Sequence, residues 1–149
     1  MHFIGIDIGT SSICGVVYHP STQSVISVTK ENCANISSPD NWEKKQDADI
    51  IINIVWDIVR EFQTRYKDIG GIGITGQMHG IVYTDVQGNA VSPLYTWQDG
   101  RGNLRYKDNL NYATHLKNIT GYPAASGYGL VTHYYNIQNL SLIHISEPT

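Results

Sequence analysis

Apolar and small or polar residues alternate at the start of the chain. Ile4, Ile6 and Ile8 share one side, with Gly5 and Asp7 between them. A period of two predicts a strand with one buried face. A second apolar run, Ile13 to Tyr18, follows Gly9-Thr10-Ser11-Ser12, so those four residues are expected to form the tight turn of a hairpin. His19 to Gln23 reads as another turn and Ser24 to Thr29 as a third strand, which completes an antiparallel meander. Residues 31–46 are polar, with a loop at Ser37 to Asn41, and Trp42 beside it reads as a core anchor or the wall of a site.

The period then changes. Ile51, Ile54, Val55, Ile58 and Phe62 make one apolar face at helical spacing, in a helix capped by Asp47 or Asp49 and reaching about Lys67. Gly70-Gly71 is expected to end it. Ile72 to Thr75 reads as a short buried strand, and the strand–helix–strand order implies a parallel crossover. A hairpin is expected at Ile81 to Thr84 and Pro93 to Thr96, around the turn Asp85 to Asn89. A helix from about Asn103 to Lys117, a loop from Thr120 to Gly127 and a helix from Leu130 to Asn139 complete the reading. The fold class is α/β: an antiparallel meander followed by a helix and a parallel strand.

Composition narrows the function classes. The 149 residues carry a net charge of −3, so no electrostatic footprint for nucleic acid or an anionic membrane is visible. Two cysteines, Cys14 and Cys33, make neither a disulfide framework nor a metal cluster. Asp7 interrupts the first apolar run and no basic stretch precedes it, which speaks against a signal peptide, and no apolar run reaches membrane-spanning length. A cytoplasmic protein is expected.

Three segments carry candidate chemistry. In the first, Asp7 sits beside Gly9, Thr10 and Ser11 at a turn. Such a turn offers unobstructed N–H groups, hydroxyl donors and a carboxylate for hydrated Mg²⁺, which suits a nucleotide phosphate. The alternative is a plain hairpin in which Gly9 supplies a positive φ. The second is Thr75-Gly76-Gln77-Met78-His79-Gly80, at the C-terminal end of the crossover strand, the edge ligands favour in open α/β sheets. The third is Thr96-Trp97-Gln98-Asp99-Gly100-Arg101. Each has a plainer reading: His79 as a structural histidine, Met78 as core filler, Asp99 as a helix cap and Arg101 as its salt-bridged neighbour.

In this order and spacing the three segments resemble the N-terminal domain of the FGGY carbohydrate kinases, over roughly residues 3–139. Gln46-Asp47, Thr120-Gly121 and Pro123 to Gly127 support the resemblance. It implies an incomplete ribonuclease-H-like domain of the actin and Hsp70 ATPase type, and an activity that uses ATP and Mg²⁺ to phosphorylate a terminal hydroxyl of a sugar. Asp7 would approach Mg²⁺ and the phosphates, mostly through water, and Gly9, Thr10 and Ser11 would line the phosphate loop. Gln77, Met78, His79, Trp97 and Asp99 match sugar-contacting positions, with Arg101 bracing the wall. Gly-Gln-Met-His-Gly is similar to the ketose-acting members, and Trp-Gln-Asp-Gly-Arg leans towards sedoheptulose rather than xylulose. Other polyols, or a non-catalytic sugar-binding fragment, are the alternatives. Ala124 stands where glycerol-specific members carry an aromatic, which implies room for a longer sugar.

The family's catalytic base, an Asp, matches no residue of this chain, so none of its residues is assigned a catalytic role. The chain by itself is expected to be inactive. Leu140 to Thr149 alternates polar and apolar residues without a helical period and looks like the translation of a sequencing adapter, which predicts a native domain over 1–139 and a non-native tail over 140–149. Oligomeric state is not legible.

Overall fold

The computed structural model describes residues 1–140. The expected non-native tail therefore lies outside the described residues, apart from Leu140. The elements in chain order are β1 (His2–Ile8), β2 (Ser12–His19), β3 (Ser24–Glu31), β4 (Asn35–Ile36), β5 (Lys45–Gln46), α1 (Ala48–Arg65), β6 (Ile69–Gly76), β7 (Leu94–Tyr95), a 3₁₀ turn (Arg101–Asn103), α2 (Tyr112–Thr120) and α3 (Gly129–Asn139). They form two compact units, Met1–Ala34 with Asp49–Gln77, and Asn35–Ala48 with the chain from Met78 onward.

In the first unit the sheet order is β3-β2-β1-β6. β1 pairs antiparallel with β2, β2 with β3, and β1 runs parallel to β6, as the meander and crossover require. Register sorts the two faces. Ile4 opposes Val17, Ile6 opposes Gly15 and Ile8 opposes Ile13, so these residues share the side that packs under α1. Ile4, Ile6, Ile13 and Val17 are buried there with Ile51, Ile58, Val59 and Phe62 of the helix. The positions between them, Gly5 with Val16 and Asp7 with Cys14, belong to the other face. This is why a carboxylate is tolerated inside an apolar strand: Asp7 is exposed, away from the helix-covered core.

Gly15 sets how closely α1 approaches. A Cβ there would sit 2.3 Å from Ile58 Cγ2 and 3.0 Å from Phe62. Gly15→Ala is expected to destabilise the unit by about 1–3 kcal/mol through overpacking, measured by urea unfolding; an unchanged unfolding midpoint would contradict the close approach.

Two expectations in this unit are corrected. Gly70-Gly71 does not end the helix. α1 stops at Arg65, closed by Tyr66 N–H donating to Phe62 O (2.8 Å), and both glycines belong to β6. There Gly71 opposes Phe3, and the bare Gly70 leaves room for the Met1 and Phe3 side chains, which a Cβ would meet at 2.5 and 3.3 Å. Nor is β6 buried. It is the sheet's edge strand, beyond the cover of α1, and Ile72 and Ile74 are 44% and 66% exposed although their partners Ile4 and Ile6 are buried. At the other end α1 begins at Ala48, so Asp47 directly precedes it and Asp49 lies in the first turn, where a carboxylate complements the positive helix end.

The second unit holds the short sheet β4-β5-β7, whose β4 and β5 flank the expected loop at Ser37 to Asn41 and were not read from the sequence. The hairpin forms, although only bridges at Ile81–Tyr95 and Thr84–Ala90 define it. α2 and α3 bury Tyr112, Ala113, Leu116 and Val131, against which Leu104, Tyr106, Ala124, Tyr134 and Tyr135 pack. The helix expected from Asn103 is corrected. After the 3₁₀ turn, Asp108 and Asn109 adopt φ of 52° and 60°, and Leu110 N–H bonds back to Lys107 O. Such left-handed residues break a helix, and Asp and Asn tolerate the conformation. α2 starts only at Tyr112, where Asn111 Oδ1 accepts from Thr114 N–H (2.7 Å), and ends at left-handed Gly121. α3 matches its expected span within one residue.

No helix among the described residues is long and apolar enough to cross a membrane.

Candidate functional site

The turn after β1 is a braced loop. Gly9 N–H donates to Ser12 O at 2.9 Å, closing it. Gly9 does not have a positive φ, which corrects the plain-hairpin reading. Glycine is required because a Cβ would lie 2.7 Å from Ser12 O. Since its N–H is spent inside the loop, Gly9 shapes the turn, and Ser11 is an exposed hydroxyl residue of the loop. Thr10 Oγ1 donates to Gln77 Oε1 (3.3 Å), and Gln77 N–H donates to Ile8 O (2.9 Å). The end of β6 thus grips the same loop. Asp7 stands one strand position away, on a cleft of about 390 Å³ lined by Gly5, Cys14, Val16, Gly73 and Thr75.

Sequence reasoning missed a third brace. Asn32, just past β3, is 3% exposed and donates from Nδ2 to Gly9 O (2.9 Å), while its N–H donates to Ser11 O (2.9 Å). A single polar residue after a strand carries no pattern that would have singled it out.

In the second unit, His79 and Trp97 are both held to the segment 126–129. The His79 ring stacks on Tyr128 (centroids 4.5 Å, 11° between planes). A Cβ on Gly127, which has φ of 85°, would lie 1.8 Å from Trp97 O, so only glycine permits this approach. His79 itself adopts φ of 67°, an uncommon conformation for a side-chain-bearing residue. Met78 (71% exposed), Trp97 (49%) and Tyr128 (40%) present apolar surface to solvent. Tyr128 was not singled out from sequence. Of the five residues expected at the sugar, the structure gathers His79 and Trp97 around one short segment and leaves Met78 exposed. Gln77 belongs to the first unit. Ala124 packs against the α2–α3 core cluster.

Asp99 departs from expectation. It is 1% exposed and both carboxylate oxygens are engaged. Oδ1 accepts from Arg101 Nε (2.7 Å) and Arg101 N–H (3.1 Å), and Oδ2 from Arg101 Nη2 (3.2 Å) and Lys44 N–H (3.0 Å). Both oxygens are engaged inside the protein, and the plainer reading of Arg101, as the salt-bridged neighbour of Asp99, is realised. Arg101, also 1% exposed, continues to Asn136 Oδ1 and to Glu43 (3.5 Å), and lies 4.2 Å from the Tyr95 ring centroid and 5.3 Å from that of Tyr135. It is the polar centre of the unit, set among the rings of Trp42, Tyr95 and Tyr135.

Burial pushes the Glu43 carboxyl up, but hydrogen bonds from Lys45 and Ser38 and the charges of Lys45 and Arg101 outweigh it, so its pKa lies below the ordinary value. A folded pKa below the unfolded one contributes stability above the unfolded value that is lost as pH falls through the folded one. Glu43→Gln is therefore expected to flatten the fall in melting temperature between about pH 5 and pH 3; identical acid profiles for both proteins would contradict this. Glu43 also lines a polar cavity of about 420 Å³ with Asn35, Ser38, Asn41, Lys45 and Gln98.

The family model for the N-terminal domain of the FGGY family of carbohydrate kinases matches residues 2–133. A xylulose kinase of Staphylococcus xylosus is 31% identical over 109 residues, covering 72% of this chain and 22% of the relative. A sedoheptulokinase of Mus musculus is 29% identical over 162 residues, covering 91% and 33%. The chain thus spans between about a fifth and a third of the length of these relatives. Among solved structures, a xyloylose kinase from Brucella ovis superposes with a TM-score of 0.75 at 23% identity, covering 93% of this chain and 30% of that one. A Plasmodium falciparum glycerol kinase with ADP gives 0.71 at 18%, covering 96% and 30%. At these identities the superpositions speak for the fold alone, the actin and Hsp70-like ATPase fold of sugar kinases. With the family match running from β1 into α3, over the phosphate-type loop and both later segments, the chain belongs to the FGGY family of carbohydrate kinases.

Proposed function

We propose that this domain is part of an ATP-dependent kinase that phosphorylates a terminal hydroxyl of a ketose, sedoheptulose first. The observation that carries the reading is the loop Gly9 to Ser12, held by Asn32 and Gln77 beside the exposed Asp7. In phosphoryl transfer the protein chiefly positions groups and offsets charge. Ser11 would offer a hydroxyl donor to phosphate oxygens, Thr10 would do so on giving up its bond to Gln77, and Asp7 would help to hold Mg²⁺ through water. The donor set fits that ion: among the described residues no three acidic, His or Cys side chains converge into a cage, and Mg²⁺ characteristically binds through one or two carboxylates, waters and the nucleotide's own phosphates. Bound there, Mg²⁺ and ATP would supply charge neutralisation and the transferred group.

On the sugar side, His79 can exchange hydrogen bonds with hydroxyls, while Met78, Trp97 and Tyr128 can pack against C–H faces. Asp99 holds Arg101 and the Lys44 backbone, without touching sugar. No residue named here is assigned as the base.

The test is ADP release by the complete kinase with MgATP and sedoheptulose, D-xylulose, glycerol or gluconate. Sedoheptulose is expected to give a kcat/KM about tenfold or more above xylulose, about 1.4 kcal/mol of discrimination. The reverse order supports the second reading, xylulose, which the 31% identical relative favours. No sugar-dependent ADP release would overturn both.

A further inference from the structure

We propose that Asn32 is a positioning residue for the phosphate-type loop, setting the loop's shape for the nucleotide rather than merely ending β3. The inference rests on the kinase reading above.

Three bonds converge on this one residue. Nδ2 donates to Gly9 O (2.9 Å), the backbone N–H donates to Ser11 O (2.9 Å), and Oδ1 accepts from Ala34 N–H (3.2 Å). The side chain is 3% exposed, so each unmade bond would strand a buried polar group. Gly9 N–H is already used on Ser12 O, and Asn32 takes the carbonyls of Gly9 and Ser11. The effect is directional. With those carbonyls drawn toward Asn32, the Gly9–Thr10 and Ser11–Ser12 peptide units are fixed, and with them the direction of the Thr10 and Ser12 N–H groups. A phosphate needs N–H groups turned towards it and carbonyls turned away. Gln77 holds the loop through the Thr10 side chain, and Asn32 holds it through backbone carbonyls.

The two ends of the Asn32 amide do different work, and substitution can separate them. Asn32→Asp keeps an acceptor for Ala34 N–H but sets a carboxylate oxygen against Gly9 O. Asn32→Ser keeps only a short hydroxyl. Amide hydrogen exchange on the full chain reads the loop directly. In Asn32→Asp, residues 9–12 are expected to exchange at least tenfold faster, with the amides of β1 and α1 unchanged. In the complete kinase the same variant should raise KM for MgATP about tenfold or more, with KM for the sugar within twofold.

Faster loop exchange in a protein that phosphorylates no sugar would overturn the kinase reading and uphold the brace. Normal exchange and normal KM for MgATP in an active kinase would overturn the brace and uphold the kinase. Uniformly faster exchange, equal rises in both KM values, or loss of folding in both variants would assign Asn32 to the fold at large and overturn the proposal.

Discussion

Arg101→Met is expected to destabilise the second unit by about 3–5 kcal/mol, enough to leave a domain of ordinary stability largely unfolded at 37 °C. Removing one partner of a buried pair strands the other charge. Here the stranded group is Asp99, 1% exposed, which would keep only the backbone N–H groups of Lys44 and Arg101 as donors. Asn136 Oδ1 and the Tyr95 ring face would lose their partner too. Arg101→Lys keeps the charge but not the planar fork that engages both oxygens of Asp99, so an intermediate loss is expected. Adding Asp99→Asn to Arg101→Met should recover part of the loss, since the stranded charge is gone. Urea unfolding of the parent, Arg101→Met, Asp99→Asn and the double variant makes the double-mutant cycle. A loss below about 1 kcal/mol for Arg101→Met, in the range of an exposed ion pair, would contradict the assignment.

The second large effect concerns chemistry rather than stability. Asp7→Asn in the complete kinase is expected to lower kcat about 10²–10³-fold, the range for deleting one electrostatic contact to a transition state, with KM for the sugar little changed. The fold should not notice. Asp7 is exposed on the sheet face opposite Ile4 and Ile6, so a change in stability within about 0.5 kcal/mol is expected. A kcat within threefold of the parent, at saturating MgATP, would remove Asp7 from the site.

What the sequence revealed followed where one local rule dominates. The period-two run Ile4, Ile6, Ile8 and the helical spacing of Ile51, Ile58 and Phe62 each reflect a single buried face, and both faces are where the pattern puts them. β6 misled because an apolar strand reads as buried, whereas its exposure depends on whether a layer lies over it. At the second helix, Asp108 and Asn109 outweighed the helical pattern around them, since two left-handed residues fix a turn.

The site divides in the same way. Asp7, Gly9 and Thr10 were legible because their chemistry is concentrated in one stretch. The burial of Asp99 was not legible because burial is invisible in a motif: beside Arg101, an exposed carboxylate and a buried one read alike. Asn32 and Tyr128 escaped notice because each acts on a segment distant in sequence, Gly9 and His79 respectively. Only the pairing of β2 with β3 and the path of the chain past Gly127 bring those partners together.

The braced loop and the aromatic-lined segment are proposed to serve phosphoryl transfer to a ketose. The most direct test is the ³¹P NMR spectrum of the product formed by the complete kinase from MgATP and sedoheptulose. The account predicts one new phosphomonoester, coupled to the two protons of a terminal CH₂, appearing in step with ADP. Inorganic phosphate with no sugar ester, or an ester coupled to a single secondary C–H proton, would contradict it.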